Sequence, residues 1–191
     1  MNSESFPDCW AVAQQGRMST TETEAPLRVR DEQPYDREQV RSVNETAFGR
    51  SGEADLIDRL WVEGAVLASF VAEVGNQIVG HILFSRMTVE TAQGPAAAVS
   101  LAPMAVLPDY QGHQIGSQLV RHGLNELRAR GERIVIVLGH KDYYPRFGFS
   151  PDKARYLASP FPPEVFMALE LSEGALEGIR GDVRYPSAFG L

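Results

Sequence analysis

The stretch LAPMAVLPDYQGHQIG, residues 101–116, decides the fold of this 191-residue chain. It begins as an apolar run, stops at Pro108 and passes through a turn into a segment that opens with Ile115. Apolar residues recur there at helical spacing, at Leu119, Val120, Leu124 and Leu127. The pattern predicts a strand that leads into a helix. The small residues between them let backbone amides approach a ligand at the helix N-terminus, where free N–H groups and the helix dipole favour a phosphate.

The flanking segments predict a mixed α/β domain. Hydrophobic runs of period two predict strands, and apolar residues of period 3.6 predict helices. The elements expected on either side of the central strand and its helix are a strand at 27–30, a helix capped by Asp36 that ends at Phe48, a helix at 53–61, strands at 66–74 and 77–89, and strands at 133–138 and 165–171. The run RIVIVL at 133–138 is apolar on both faces, so we expect it to be buried and parallel to the central strand.

Together these elements predict a single domain at 27–191, with a central sheet of about six to seven strands flanked by about four helices. Residues 1–26 show no sustained periodicity and are expected to form a flexible tail. With 43% hydrophobic residues, the chain is long enough to bury a substantial core.

Composition excludes several function classes. A net charge of −7 and a pI near 5.1 argue against a general nucleic-acid binder, since such domains usually carry a basic face. The single cysteine, Cys9, excludes an intrachain disulfide and a CxxC metal site. The four histidines are scattered without HExxH spacing, so no metal is expected. No run is long enough to span a bilayer, and no signal-peptide pattern is present, so the expected location is cytoplasmic, with no membrane partner.

The segment QGHQIG resembles motif A of the GNAT N-acetyltransferases, Arg/Gln-x-x-Gly-x-Gly/Ala, which binds the pyrophosphate of acetyl-CoA. Gln111 and Gly116 match the first and last positions, whereas Gln114 stands where the family usually has a glycine. If the backbone there requires positive φ, the glutamine side chain costs stability. The resemblance implies a cofactor-binding set consisting of Gln111, Gly112, His113, Gln114, Ile115, Gly116 and Ser117.

A second segment, YYPRFGF at 143–149, resembles the Tyr-x-x-x-Gly-Phe of GNAT motif B. The resemblance implies that Tyr144 protonates the departing CoA thiolate, a role that suits a phenol of pKa about 10. It also implies that the backbone of Met104, Ala105 and Val106 pairs with pantetheine, in a slot between splayed parallel strands. The order of elements is that of the GNAT fold, and several segments look most like its bacterial YhbS-like branch.

The resemblance implies an N-acetyltransferase that uses acetyl-CoA as co-substrate and a small-molecule or peptide amine as acceptor. The alternative is a catalytically silent acyl-CoA-binding module, to which Gln114 lends weight. Each motif also has a purely structural explanation. Gly112 and Gly116 can serve only a tight connection between strand and helix, and Tyr144 can be a core residue without a catalytic role. No motif selects a general base among Glu73, Glu53, Asp55, His140 and a water chain. The late strand and C-terminal aromatics are candidates for a homodimer contact.

Overall fold

The protein is a mixed α/β fold built on one sheet. The computed structural model describes residues 26–191, so Cys9 and the predicted tail at 1–26, apart from Pro26, lie outside the described residues. The strands of the described part are β1 (Leu27–Asp31), β2 (Val66–Val74), β3 (Gln77–Thr91), β4 (Gly94–Val106), β5 (Ile134–Leu138), β6 (Leu157–Ala158), β7 (Phe166–Glu170) and β8 (Gly181–Arg184). Its α-helices are α1 (Arg37–Phe48), α2 (Gly52–Glu63), α3 (Ile115–Ala129) and α4 (Pro151–Ala154).

The sheet follows the order β1-β2-β3-β4-β5-β7. Neighbours in this path are antiparallel except β4 and β5, which are parallel as the sequence predicts. The long strand β3 pairs with β2 along its first part, and its last residues pair with β8. The two-residue strand β6 lies parallel to β8.

Helices cover both faces of the sheet. Helix α3 buries its apolar side, including Leu119 and Leu127, against one face, where Phe70 and Phe84 also lie. Helices α1 and α2 pack on the opposite face. Successive strand residues point to opposite faces, so the alternation in β3 places Phe84 toward α3 and Leu83 toward α1 and α2.

The parallel ladder between β4 and β5 is short. It contains three residue pairs and ends where Leu101 faces Val137, although β4 continues to Val106. Beyond that point β4 pairs only with β3, and the register between these two strands shifts just past Leu101. The two parallel strands therefore separate into a wedge that is open toward the C-terminal end of β4.

The expected elements are present, with shifts of one or two residues at several ends. Asp36 occupies the N-cap position of α1, as expected, but its carboxylate makes no capping hydrogen bond to that helix, because it instead accepts from the Gln33 amide at 2.7 Å and pairs with Arg30. One detail of the prediction was wrong. The strand at 165–171 was expected to be the last one, whereas β8 follows it and, with β6, brings the described sheet to eight strands. Only Val183 of β8 is buried, so that segment has no hydrophobic pattern.

Candidate active site

The loop between β4 and α3 exposes backbone amides at the wide end of the wedge. Gly112 has φ 81° and Gln114 has φ 61°, both in the left-handed region. These turns bring the chain into α3, whose first helical bond runs from the Gln118 amide to the Gln114 carbonyl at 3.0 Å. The amides of Ile115 to Ser117 have no intrahelical acceptor, because the first turn of a helix leaves its donors unpaired. Together with the helix dipole, they form a site suited to an anion.

Gln114 is the one residue other than glycine with positive φ in the described part of the chain. The sequence analysis expected Gln114 to cost stability if its backbone required positive φ. The structure shows that it does, because this position, usually a glycine in the family, is left-handed here. The side chain is exposed and makes no capping hydrogen bond to α3. The loop keeps this geometry against an intrinsic cost of about 1–2 kcal/mol for a left-handed residue with a Cβ atom.

Two other predicted residues hold the loop in shape. The Gln111 side chain donates through Nε2 to the Val106 carbonyl at 3.0 Å, which ties the loop to the end of β4. The exposed His113 contacts the Gln111 carbonyl through Nδ1 at 3.0 Å. Since a carbonyl oxygen only accepts, Nδ1 carries the proton in this contact.

A side chain at Gly116 would crowd the residues around it. A Cβ atom there would lie 2.8 Å from the Tyr143 hydroxyl and 3.5 Å from the methyl group of Met104. The last position of the motif is therefore where the loop, β4 and the segment after β5 meet. Packing alone explains this glycine, whether or not a pyrophosphate lies nearby.

Tyr143 and Tyr144 have different surroundings. The hydroxyls of Tyr143 and Ser117 form a hydrogen bond at the N-terminus of α3, and burial raises the pKa of Tyr143 despite that bond. The Tyr144 side chain is 5% exposed, and its ring lies against Gly139, directly after β5, and 5.7 Å from the Phe149 ring. Tyr144 thus lies at the end of β5, on the other side of the wedge from β4.

The three predicted residues of β4 line the opposite side of the wedge. Met104 and Val106 are half-buried and pack on the α3 side, whereas Ala105 is 1% exposed and packs toward α1 and α2. All three pair with β3 on one edge, and the other edge is no longer paired with β5. The eleven predicted site residues therefore lie on β4, on the loop that follows it, in the first turn of α3 and in the segment after β5.

Three of the four candidate bases are held by arginines. Glu73 accepts from Arg30 at 2.8 Å, and the buried Glu53 from Arg50 at 2.6 Å. Asp55 lies 2.6 Å from an Arg41 nitrogen, and this contact lowers the pKa of the carboxyl. A carboxylate paired with a guanidinium is a poor proton acceptor.

His140, the fourth candidate, lies two residues after the end of β5 and is 40% exposed. Its Nδ1 accepts from the Asp142 amide at 3.3 Å. Of the four, His140 alone lies in the same segment as Tyr144.

A buried polar chain behind β4 was missed by the sequence analysis. Asn44 donates through Nδ2 to the Val40 carbonyl and to His81 Nδ1, at 2.8 and 3.2 Å. His81 Nδ1 therefore accepts, which leaves the proton on Nε2 to be donated to Ser69 Oγ at 2.9 Å. Ser69 in turn donates to the Glu32 carboxylate. His81 faces Ala105 across the sheet, and its place in an apolar strand is the one signal that the sequence offered.

The arrangement can bind an elongated ligand with an anionic group. The wedge offers one unpaired strand edge, the start of α3 offers amides for an anion, and two phenols flank the space between them. Within residues 26–191 no group of three or more His, Cys, Asp or Glu side chains could hold a metal ion, and none of the helices there is long and apolar enough to cross a membrane.

Comparison with known proteins agrees with this geometry. Residues 67–151 match the model of the acetyltransferase (GNAT) domain. The uncharacterized N-acetyltransferase YjhQ of Escherichia coli K12 is 41% identical over 134 residues, which are 68% of this chain and 74% of YjhQ. The uncharacterized N-acetyltransferase YhbS of the same strain is 31% identical over 167 residues, covering 85% of this chain and 98% of YhbS.

Two solved structures share the fold. The crystal structure of E. coli YhbS in complex with CoA superposes with a TM-score of 0.82 at 29% identity, covering 91% of this chain and 97% of that one. A GNAT acetyltransferase from Brucella melitensis in complex with acetyl-CoA gives a TM-score of 0.72 at 34% identity, covering 86% of this chain and 98% of that one. The chain therefore belongs to the GNAT family of N-acetyltransferases.

Proposed function

We propose that the protein transfers the acetyl group of acetyl-CoA to a primary amine. The observation that carries this proposal is the short β4–β5 ladder, which leaves the edge of Met104 to Val106 unpaired beside the start of α3. Pantetheine amides can pair with that edge, while the pyrophosphate accepts from the amides of Ile115 to Ser117. The bound CoA and acetyl-CoA of the two similar structures support the same ligand here.

Tyr144 is the proposed general acid. The amine nitrogen attacks the thioester carbonyl, a C–N bond forms, the C–S bond breaks, and the thiolate takes a proton from the phenol. The amine loses its own proton to His140 or to water, since the other candidate bases are paired with arginines. Tyr143 has a hydrogen-bond partner in Ser117, which favours a positioning role for that phenol.

Calorimetric titration with acetyl-CoA and with CoA tests the proposed ligand first. We expect micromolar binding, about −8 kcal/mol at 1 μM, and free thiol release from acetyl-CoA when an amine acceptor is added. Absence of binding would refute the proposal. Binding without turnover on any amine would favour a silent acyl-CoA-binding module, for which the left-handed Gln114 is the supporting observation.

Tyr144→Phe should lower kcat by at least tenfold while acetyl-CoA affinity stays within about twofold of wild type. The hydroxyl matters mainly once charge develops on sulfur, so its loss raises the barrier more than it weakens binding. Steady-state kinetics and calorimetry measure the two effects. Tyr35→Phe is the matched control, because that side chain is 77% exposed. Equal losses in kcat and affinity would exclude the general-acid role of Tyr144.

Gly116→Asp should abolish or greatly weaken acetyl-CoA binding. The new side chain would clash with the Tyr143 hydroxyl, 2.8 Å from the Cβ position, and add negative charge at the proposed phosphate site. Asn125→Asp is the control, since it adds the same charge on the exposed surface farther along α3. If Gly116→Asp folds and binds acetyl-CoA normally by calorimetry, the phosphate site lies elsewhere.

A further inference from the structure

A second cleft opens on the surface, away from the wedge. Its volume is about 370 Å³, which is the size of a small-molecule site. Glu170 of β7 lines it and pairs with Ile134, the first residue of β5. The wedge begins past Val137, about 10 Å further along the same strand. The cleft, here called the distal cleft, is therefore separate from the candidate active site.

Two short strands bring the cationic side chains of the distal cleft together. β6 and β8 run parallel, with Leu157 facing Gly181. The Gly181 amide also donates to the Tyr156 carbonyl at 3.2 Å. Tyr156 and Arg180, the residues just before these two strands, therefore lie side by side, and Arg155 precedes Tyr156 at the end of α4.

Gly181 permits this arrangement. β8 lies between β3 and β6, and a Cβ atom at Gly181 would collide with the Glu90 carbonyl of β3. A side chain at this position would push β8 away from β3. The backbone contact thus fixes where Arg180 emerges beside Tyr156.

Two guanidinium groups lie over the Tyr156 ring at the distal cleft. The Arg180 Cζ atom is 3.8 Å from the ring centre, and the Arg155 Cζ atom is 4.7 Å from it. The ring attracts both cations and orients their planar groups. Arg155 is the main cause of a lowered pKa at Tyr156, as expected in a positive field. Neither guanidinium forms an ion pair with a carboxylate of residues 26–191, so both can bind an oxyanion.

The other charged residues of the distal cleft restrict the charge of a ligand. Lys153 pairs with Glu170 at 3.6 Å, and Glu170 also accepts from the Leu176 amide at 2.9 Å. Asp152 and Glu177 are exposed at the cleft and form no ion pair within the described chain. These two carboxylates repel further negative charge, so a ligand with one anionic group is favoured over a polyanion.

One side of the distal cleft is apolar. Leu176 and Ile179 line it, and both are half-buried. They pack on the core cluster that contains Met87 and Val183, which holds the segment before β8 against the sheet. A ligand with an apolar body can therefore bury surface beside the two guanidinium groups.

We propose that the distal cleft binds a small organic anion, with Arg155 and Arg180 contacting its carboxylate or phosphate group and with Leu176 and Ile179 contacting its apolar body. Tyr156 is a positioning residue, because its ring holds the two guanidinium groups in place. The site uses no residue of the wedge or of the loop before α3. The proposal therefore does not rest on the proposed function.

Saturation-transfer NMR with benzoate and with phenyl phosphate tests the proposal at constant ionic strength. We expect at least one of them to bind, the tighter one indicating a carboxylate or a phosphate ligand, and benzyl alcohol, which carries no charge, to bind much more weakly. Saturating CoA should displace neither probe, since the cleft is separate from the wedge.

Substitutions in the full chain locate the bound probe. Arg155→Gln and Arg180→Gln should each weaken binding about three- to tenfold, because each removes one exposed charge contact. Tyr156→Ala should weaken binding as well, whereas Tyr156→Phe keeps the ring and should stay within about twofold of wild type. Arg128→Gln is the control, because it removes the same charge from the exposed end of α3.

Three results would overturn the proposal. They are no binding of either anion to wild type, displacement of the probe by CoA, and equal binding by Arg180→Gln and Arg128→Gln. Circular dichroism checks that each variant is folded. Loss of binding in both Arg155→Gln and Arg180→Gln with retention in Arg128→Gln supports the site, even if acetyl-CoA fails to bind to the wedge.

Discussion

Replacing Gln114 with glycine should leave the protein as stable as wild type or make it slightly more stable. Gln114 is the first residue of the turn into α3 and has φ 61° and ψ 11°. Its side chain is exposed and makes no capping bond, so the substitution removes no contact that stabilises the helix. The main effects are therefore on the backbone.

Two opposing effects determine how much Gln114→Gly changes the free energy of unfolding. Relief of the left-handed strain gains about 1–2 kcal/mol. The greater freedom of glycine in the unfolded chain costs about 0.4–1 kcal/mol. The net change in the free energy of unfolding should lie between about 0 and +1.5 kcal/mol, an increase in Tm of up to about 6 °C for a chain of this size.

Gln118→Gly is the matched control. Gln118 is exposed one turn further along α3, where the backbone is right-handed. The same substitution there should destabilise the protein by about 0.5–1 kcal/mol. Urea unfolding monitored by circular dichroism measures both variants, and their stabilities should differ by about 0.5–2.5 kcal/mol.

Equal destabilisation by the two substitutions would refute this reasoning, since it would mean that position 114 carries no left-handed strain. Acetyl-CoA affinity is measured on the same samples. We expect Gln114→Gly to bind at least as tightly as wild type, because the exposed side chain is removed from the loop without any change of charge.

Two further substitutions test the packing and electrostatics of the sheet. The Arg30 guanidinium is the main cause of a lowered pKa at Asp36, a carboxyl whose side chain is 2% exposed. Because the folded-state pKa is lowered, the stabilisation is present above the ordinary value of 3.8 and is lost as pH falls below it. Asp36→Asn should therefore lower stability by about 1.5–3 kcal/mol at pH 7 and much less at pH 2, and an equal loss at both pH values would contradict this sign. Gly123→Ala should destabilise the protein by about 1–3 kcal/mol, because the added Cβ would lie 2.3 Å from the buried Phe84 ring. Unfolding in urea measures this loss of stability. A gain in stability would contradict the prediction and show that the ring can move.

The sequence was sufficient for the features that depend on neighbouring residues. Runs of β-branched residues and helical spacing predicted the central strand, α3 and β5, because burial of one face requires those periodicities. The motif residues from Gln111 to Ser117 lie on the loop before α3 and in the first turn of that helix, the strand-to-helix connection that the pattern predicted. β8 could not be found in this way, since its four residues bury only Val183 and are held by pairing with β3.

The candidate site shows the same division. The sequence identified both tyrosines and indicated that Gln114 departs from the family pattern. It could not show that the Tyr143 hydroxyl meets Ser117, or that Arg180 lies over the Tyr156 ring, because these depend on strands and helices far apart in the chain. Local periodicity and turn chemistry are encoded by adjacent residues and determine the elements. Contacts between distant side chains exist only once the sheet has formed, so the tertiary structure alone decided where the wedge opens, which phenol lies on each side of it and what lies on the opposite face.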